Sequence, residues 1–157
     1  MKTKLASTVA AVALIAGLGL SPMLSSAPAN AVDNMLSTDA PDLTSVRTKI
    51  KAKDYAGALS ELRKLADDVQ HADVYNLLGY TLRKTGDFKT SLTYYTKALD
   101  LQPDHKGAHE YLGELFVETG KLDKAKDQLA ALEKLCPNGC EERDDLQKVI
   151  AAKVAAK

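Results

Sequence analysis

The chain has 157 residues, 45% of them hydrophobic and 5% aromatic, with no Trp, and its 21 basic and 21 acidic residues cancel to a formal charge of zero. That length suits one domain, or one domain with a removable segment. The charge balance counts against a nucleic-acid binder, which carries a basic excess or stripe. The apolar content counts against disorder, and three His with two Cys leave few parts for metal or nucleophilic chemistry.

Residues 1–31 read as a secretory signal peptide. Lys2 and Lys4 make a basic start, an apolar run follows from Leu5 to Leu20, and Ala29-Asn30-Ala31 supplies a small-x-small cleavage site. The apolar run falls short of a bilayer span, so an anchor is the lesser reading. Cleavage after Ala31 leaves 126 residues (157 − 31) carrying 19 basic and 21 acidic side chains, a charge of −2. No later stretch is apolar enough to span a membrane. The expected product is exported, with the periplasm as the favoured compartment, and residues 32–41 are a linker.

From residue 42 onward the pattern is helical. The first pair is expected at about 42–52, with Leu43, Val46 and Ile50 as its stripe, and about 55–69. Two further pairs follow at about 72–85 with 88–101, and about 106–119 with 122–135. In the last of these, Leu122, Ala125, Leu129, Leu132 and Leu135 share one face. Shifting the sequence by 34 pairs Leu78 with Leu112, Gly79 with Gly113, Thr85 with Thr119, Gly86 with Gly120, Leu101 with Leu135 and Pro103 with Pro137. Each of these residues has a geometric role. Gly inside a helix costs about 1 kcal/mol relative to Ala, so Gly79 and Gly113 imply close approach of a neighbouring helix. Gly86 and Gly120 suit a positive φ at a helix end, and Pro103 and Pro137 stop the second helix of each pair. The first pair is degenerate: it lines up at a shift of 33 and lacks both the Leu-Gly step and the proline. A last helix at about 141–156, with Leu146, Val149, Ile150 and Val154 on one face, is expected to cap the stack.

The spacing Tyr75-x2-Leu78-Gly79-x2-Leu82, then Ser91-x3-Tyr95, Ala98 and Pro103, resembles the tetratricopeptide repeat family, as does His109-x2-Leu112-Gly113-x2-Phe116 with Ala125-x3-Leu129 and Pro137. Ser91 stands where the family has a small Ala, and His109 and Leu129 stand where it has aromatics. The resemblance implies an all-α superhelix of about three helix pairs (repeats about 42–71, 72–105 and 106–139) plus the capping helix, the domain covering 42–157. It further implies a concave groove lined by the first helix of each pair. Asn76, Tyr80, Arg83, Lys84, Glu110 and Glu114 are the expected partner-binding residues, with Asp73, Val117 and Glu118 beside them and Arg47 and Lys51 joining from the first pair. Arg47, Lys51, Arg83 and Lys84 are expected on one side of the groove and Glu110, Glu114 and Glu118 on the other. Glu110 and Glu114 depart from the basic clamp with which some members hold a C-terminal carboxylate, so that recognition is not expected.

Cys136 and Cys140 bracket a Pro-Asn-Gly turn. In an exported chain such a pair reads as a structural disulfide worth about 2 kcal/mol. The alternative is a thiol–disulfide or metal-handling role, although the C-x3-C spacing matches neither thioredoxin-like nor zinc motifs. His105 and His109 stand four apart and His71 stands 34 before His105; they read as two turn residues and one packing residue rather than metal ligands. No catalytic elbow or phosphate loop is present. The expected function is therefore a non-enzymatic scaffold or adaptor of the bacterial cell envelope that binds a protein or peptide. No cofactor, metal or nucleic acid is implied, and self-association through an open end remains as a further reading.

Overall fold

In the computed structural model, residues 40–156 are described; the leader expected over 1–31 and most of the linker expected over 32–41 lie outside them. The described residues form seven helices and no strand: α1 Thr44–Lys51, α2 Tyr55–Asp68, α3 Ala72–Lys84, α4 Phe88–Leu101, α5 Lys106–Glu118, α6 Leu122–Leu135 and α7 Glu141–Ala155. Helices α1–α6 form three antiparallel hairpins stacked side by side, and α7 covers the end, packing more on α5 than on α6. Among the described residues no helix is long and apolar enough to cross a membrane.

One turn design closes all three hairpins. The N–H donors of Asp54, Asp87 and Lys121 reach back to the carbonyls of Lys49, Leu82 and Phe116 at 2.9, 3.0 and 2.7 Å. The residue before each donor has positive φ: Lys53 (60°), Gly86 (88°) and Gly120 (75°). Glycine enters that region freely and lysine does not, so the degenerate first pair keeps the turn at some conformational cost. Asp54 and Asp87 then cap the following helices by accepting from the Gly57 and Thr90 N–H groups, whereas Lys121 makes no such cap. Such caps are worth about 1 kcal/mol each.

The helical glycines have the role that the repeat implies. A Cβ on Gly79 would sit 2.6 Å from two ring carbons of Tyr95 on α4, a residue with no solvent exposure. Ser91, one turn earlier on α4, is equally buried and donates its hydroxyl to the Gly79 carbonyl at 2.7 Å. That bond accounts for a hydroxyl at a position the family gives to Ala: a buried donor is tolerated when it is satisfied. In the next repeat the arrangement changes. The atoms nearest a Cβ on Gly113 would be those of Leu146 on α7, at 2.5 Å, so the capping helix rather than α6 occupies this notch. Leu129, the residue equivalent to Tyr95, is only half-buried.

Two apolar clusters result. Leu43, Val46, Ala58, Leu62, Val74, Leu77 and Leu78 form the first, with Ala98 and Ala108; Tyr95, Leu112, Leu115, Phe116, Ala125, Leu132, Leu146 and Ile150 form the second. Helix α4 joins them, because Ala98 faces one and Tyr95 the other. Cys136 caps the C-terminus of α6, Cys140 caps the N-terminus of α7, and the two are disulfide-bonded with their Cα atoms 5.8 Å apart. The expected apolar face of α7 is shorter than its sequence suggests. Leu146 and Ile150 are buried, but Val154 is 51% exposed and residues 151–156 all face solvent, because α7 runs past the edge of α5 and α6.

The Gly113 notch is testable. Substitution Gly113→Ala forces Leu146 to move and is expected to cost about 1–3 kcal/mol. Combining it with Leu146→Ala removes the clash, so urea titrations should give a double-variant cost clearly below the sum of the two single costs; additivity would mean that the two residues do not meet.

Candidate functional site

The odd-numbered helices share one face, and two adjoining clefts open on it, beside a shallower third of about 380 Å3 lined by Asp73, Gln102, Asp104, His105, Lys106, Gly107 and Glu142. The larger of the two, of about 320 Å3, is lined by Arg47 of α1, Asp73, Asn76 and Leu77 of α3, His105, Gly107, Glu110 and Tyr111 at and within α5, and Glu141, Glu142 and Asp145 of α7. The smaller, of about 160 Å3, is lined by Arg47, Ile50, Lys51, Leu77, Tyr80 and Tyr111. Arg47, Leu77 and Tyr111 border both.

The histidines build the frame rather than a metal site. His71 and His105 are the N-caps of α3 and α5, their Nδ1 atoms accepting from the Asp73 and Ala108 N–H groups at 3.2 and 3.1 Å. With Nδ1 accepting, His105 carries its proton on Nε2 and donates it to Asp73 at 2.9 Å, tying the start of α5 to the start of α3. That bond holds the Asp73 carboxyl below its usual range against the opposing effect of burial. His109 lies between α5 and α6, with its ring nitrogens 2.8 Å from the Gln128 side-chain oxygen and 2.9 Å from the Pro103 carbonyl. Among the described residues no group of three or more His, Cys, Asp or Glu side chains is placed to hold a metal ion.

Arg83 is where the structure departs most from the sequence expectation. It does not present a free charge to the groove. Its side chain is 1% exposed, it donates to Glu114 and, at 2.5 Å, to Glu118 of α5, and its Nε reaches the Tyr95 hydroxyl at 3.4 Å. Its guanidinium also lies 5.5 and 5.8 Å from the ring centres of Tyr80 and Tyr111, which are themselves 5.0 Å apart. The expected segregation of Arg83 from Glu114 and Glu118 is thus replaced by mutual neutralisation. Lys84 is exposed, stands 5.3 Å from the centre of the Tyr80 ring, and borders neither cleft.

Glu110, expected as an exposed groove residue, is instead buried at 9% exposure. Burial, then the neighbouring charges of Glu114, Asp145 and Glu142, push its carboxyl up to about 8, with Arg83 opposing. Asn76 is also more enclosed than a surface contact residue, at 6% exposure, and its Oδ1 has no hydrogen-bond partner. Tyr80 lines the smaller cleft together with Arg47 and Lys51. Sequence reasoning missed Glu141, Glu142 and Asp145. Acidic residues at a helix start are ordinarily explained by its dipole, and it is the seating of Leu146 against Gly113 that brings these to the side of α5. The signal that could have found them was their spacing: Asp145 is four residues and Glu142 seven residues before Val149, which puts them on the same side of the helix as that packing residue.

Stacked helical hairpins with a groove on the face of the odd helices define an α-helical repeat protein. Residues 76–139 match the tetratricopeptide repeat family model, so the helical hairpins from α3 to α6 are of the tetratricopeptide type. It is 41% identical over 54 residues to the Sol locus transcriptional repressor of Clostridium acetobutylicum, covering 34% of this chain and 17% of the repressor. It is 33% identical over 66 residues to the uncharacterized protein ycf37 of Guillardia theta, covering 42% of this chain and 37% of that one. The match therefore spans well under half the length of either relative. The fold is similar to the first repeat domain of Spaghetti (RPAP3) bound to the HSP90 peptide SRMEEVD, with a TM-score of 0.60, 18% identity, and 72% of this chain and 89% of that one covered. It is also similar to the TPR2B domain of yeast Sti1 in its Hsp70 complex, with a TM-score of 0.64, 15% identity, and 71% and 92% covered.

The Glu110 environment sets a pH dependence. The native state keeps a proton that the unfolded chain releases near pH 4, so this contribution to stability is full below about pH 4 and is lost as pH rises through about 8. Glu110→Gln removes the loss. Its melting temperature relative to the parent should climb steadily between pH 5 and pH 9, as thermal unfolding across that range would record; a constant difference would place Glu110 in water.

Proposed function

We propose that the chain is a non-enzymatic adaptor that holds an extended segment of a protein or peptide partner along the face of α1, α3, α5 and α7. The observation that carries this reading is the pair of contiguous clefts on that face, one apolar around Tyr80 and one polar around Asn76. An extended strand advances about 3.3 Å per residue with side chains alternating in direction, so neighbouring clefts suit side chains two apart. The peptides held by the RPAP3 and Sti1 domains support the reading by analogy of fold. Tyr80 supplies flat area with a polar tip, and Asn76 supplies an amide able to pair with backbone.

The site of action we propose is the bacterial cell envelope. The basic, apolar and small-x-small segments of residues 1–31 support export, and N-terminal sequencing of chain recovered from the envelope should begin at Val32. The groove is tested by selecting binders from a displayed library of 12-residue peptides with the full chain. Selected peptides should lose at least about tenfold in affinity for the Tyr80→Ala, Asn76→Ala double variant, with the helical circular dichroism unchanged. Undiminished binding would place the contact elsewhere.

A further inference from the structure

We propose that the larger cleft is a receptor for one basic side chain, lysine or arginine, of the bound segment. This inference rests on the groove reading above and adds the chemistry of the partner.

The case is one of charge, enclosure and an unmet hydrogen-bond need. Five carboxyl groups border the cleft: Asp73 from α3, Glu110 from α5, and Glu141, Glu142 and Asp145 from α7. Two of them already have partners. Asp73 accepts from His105, and Asp145 accepts from Lys148 at 2.9 Å, an i,i+3 pair whose lysine is 74% exposed and which therefore contributes little. Among the described residues, no cation lies within salt-bridge distance of Glu110, Glu141 or Glu142. Arg83, the nearest buried cation on α3, is committed to Glu114 and Glu118. Arg47 also lines this cleft, at its border with the smaller one, and its charge bears on Asp73 rather than on Glu110, Glu141 or Glu142.

An acidic surface alone would be ordinary solvation, but the wall also contains Asn76. This side chain is 6% exposed, lines the cleft between Asp73 and Glu110, and leaves its Oδ1 without a partner. A buried amide oxygen left unpaired costs about 1–3 kcal/mol. An ammonium or guanidinium group brings three to five N–H donors and no acceptor, which is the complement of a wall made of four carboxylates, the Glu110 carboxyl group and an amide oxygen. The volume, about 320 Å3, leaves room for one such side chain.

The smaller cleft fixes what accompanies the basic residue. Ile50, Leu77, Tyr80 and Tyr111 make it apolar, and Arg47 and Lys51 border it. A partner segment that places Lys or Arg in one cleft and an apolar side chain in the next meets both.

The test uses the 15N-labelled full chain and three capped amino acids as probes: N-acetyl-lysine N-methylamide, its norleucine counterpart, which matches it in length without the charge, and its glutamate counterpart. The lysine probe should give saturable shifts centred on the Asn76 side-chain amide and the Gly107 N–H, and the other two should give none. Glu142→Gln with Asp145→Asn should weaken lysine binding by about tenfold, whereas Glu133→Gln, a charge change on α6 outside the cleft, should leave it unchanged. Shifts with the glutamate probe, equal shifts with norleucine, shifts that persist in the double variant, or no saturable shift would each overturn the inference. Because the probe is a single residue, its failure is distinct from failure of the groove reading, which the displayed peptides decide on their own.

Discussion

Tyr95 is the side chain on which the arrangement depends. Its ring packs against Gly79, where a side chain would hold α4 away from α3. Its hydroxyl then stands within reach of Arg83, and Arg83 in turn grips Glu114 and Glu118 on the next hairpin. One missing side chain thus propagates from the closure of a hairpin to the placement of its neighbour. The polar cluster is too buried to be a source of large net stability, because desolvating a guanidinium offsets most of its ion pairing. Its effect is positional: it ties α3 to α5, the two helices that carry Asn76 and Glu110.

The same cluster decides the electrostatics of the groove. With Arg83 held by two carboxylates, nothing on α3 balances the remaining acids of α5 and α7. Glu110 is left among Glu114, Glu142 and Asp145 and holds its proton well above the usual carboxyl range. A face that looked divided between positive and negative in the sequence is, in three dimensions, neutral at the Arg83 end and acidic at the α7 end.

The helices, their order and the hairpin turns were legible in the sequence because each rests on local chemistry: apolar stripes at helical spacing, Gly86 and Gly120 at positive φ, Pro103 and Pro137 after the stops. The close approach at Gly79 was legible for the same reason, since a glycine inside a helix weakens it unless a neighbouring helix uses the space. What escaped was anything set by a contact across hairpins. The 34-residue offset puts Gly113 where Gly79 stands, yet its notch is filled from α7, and no periodicity reports a partner that lies outside the repeat. Arg83 fell to the same difficulty. Charged residues at groove positions are read as exposed, and only the joint presence of Tyr95, Glu114 and Glu118 makes burial tolerable. Lys53, in the left-handed turn position that later repeats give to Gly, was invisible because its residue type argues against its conformation.

Three of the five carboxyl groups around the larger cleft belong to the first turns of α7, immediately after Cys140. That wall is hinged on a short covalent staple that closes between Cys136 and Cys140. Dithiothreitol or glutathione in a purification buffer would act on the hinge, so oxidised and reduced preparations of this protein are different reagents wherever its acidic wall is being measured.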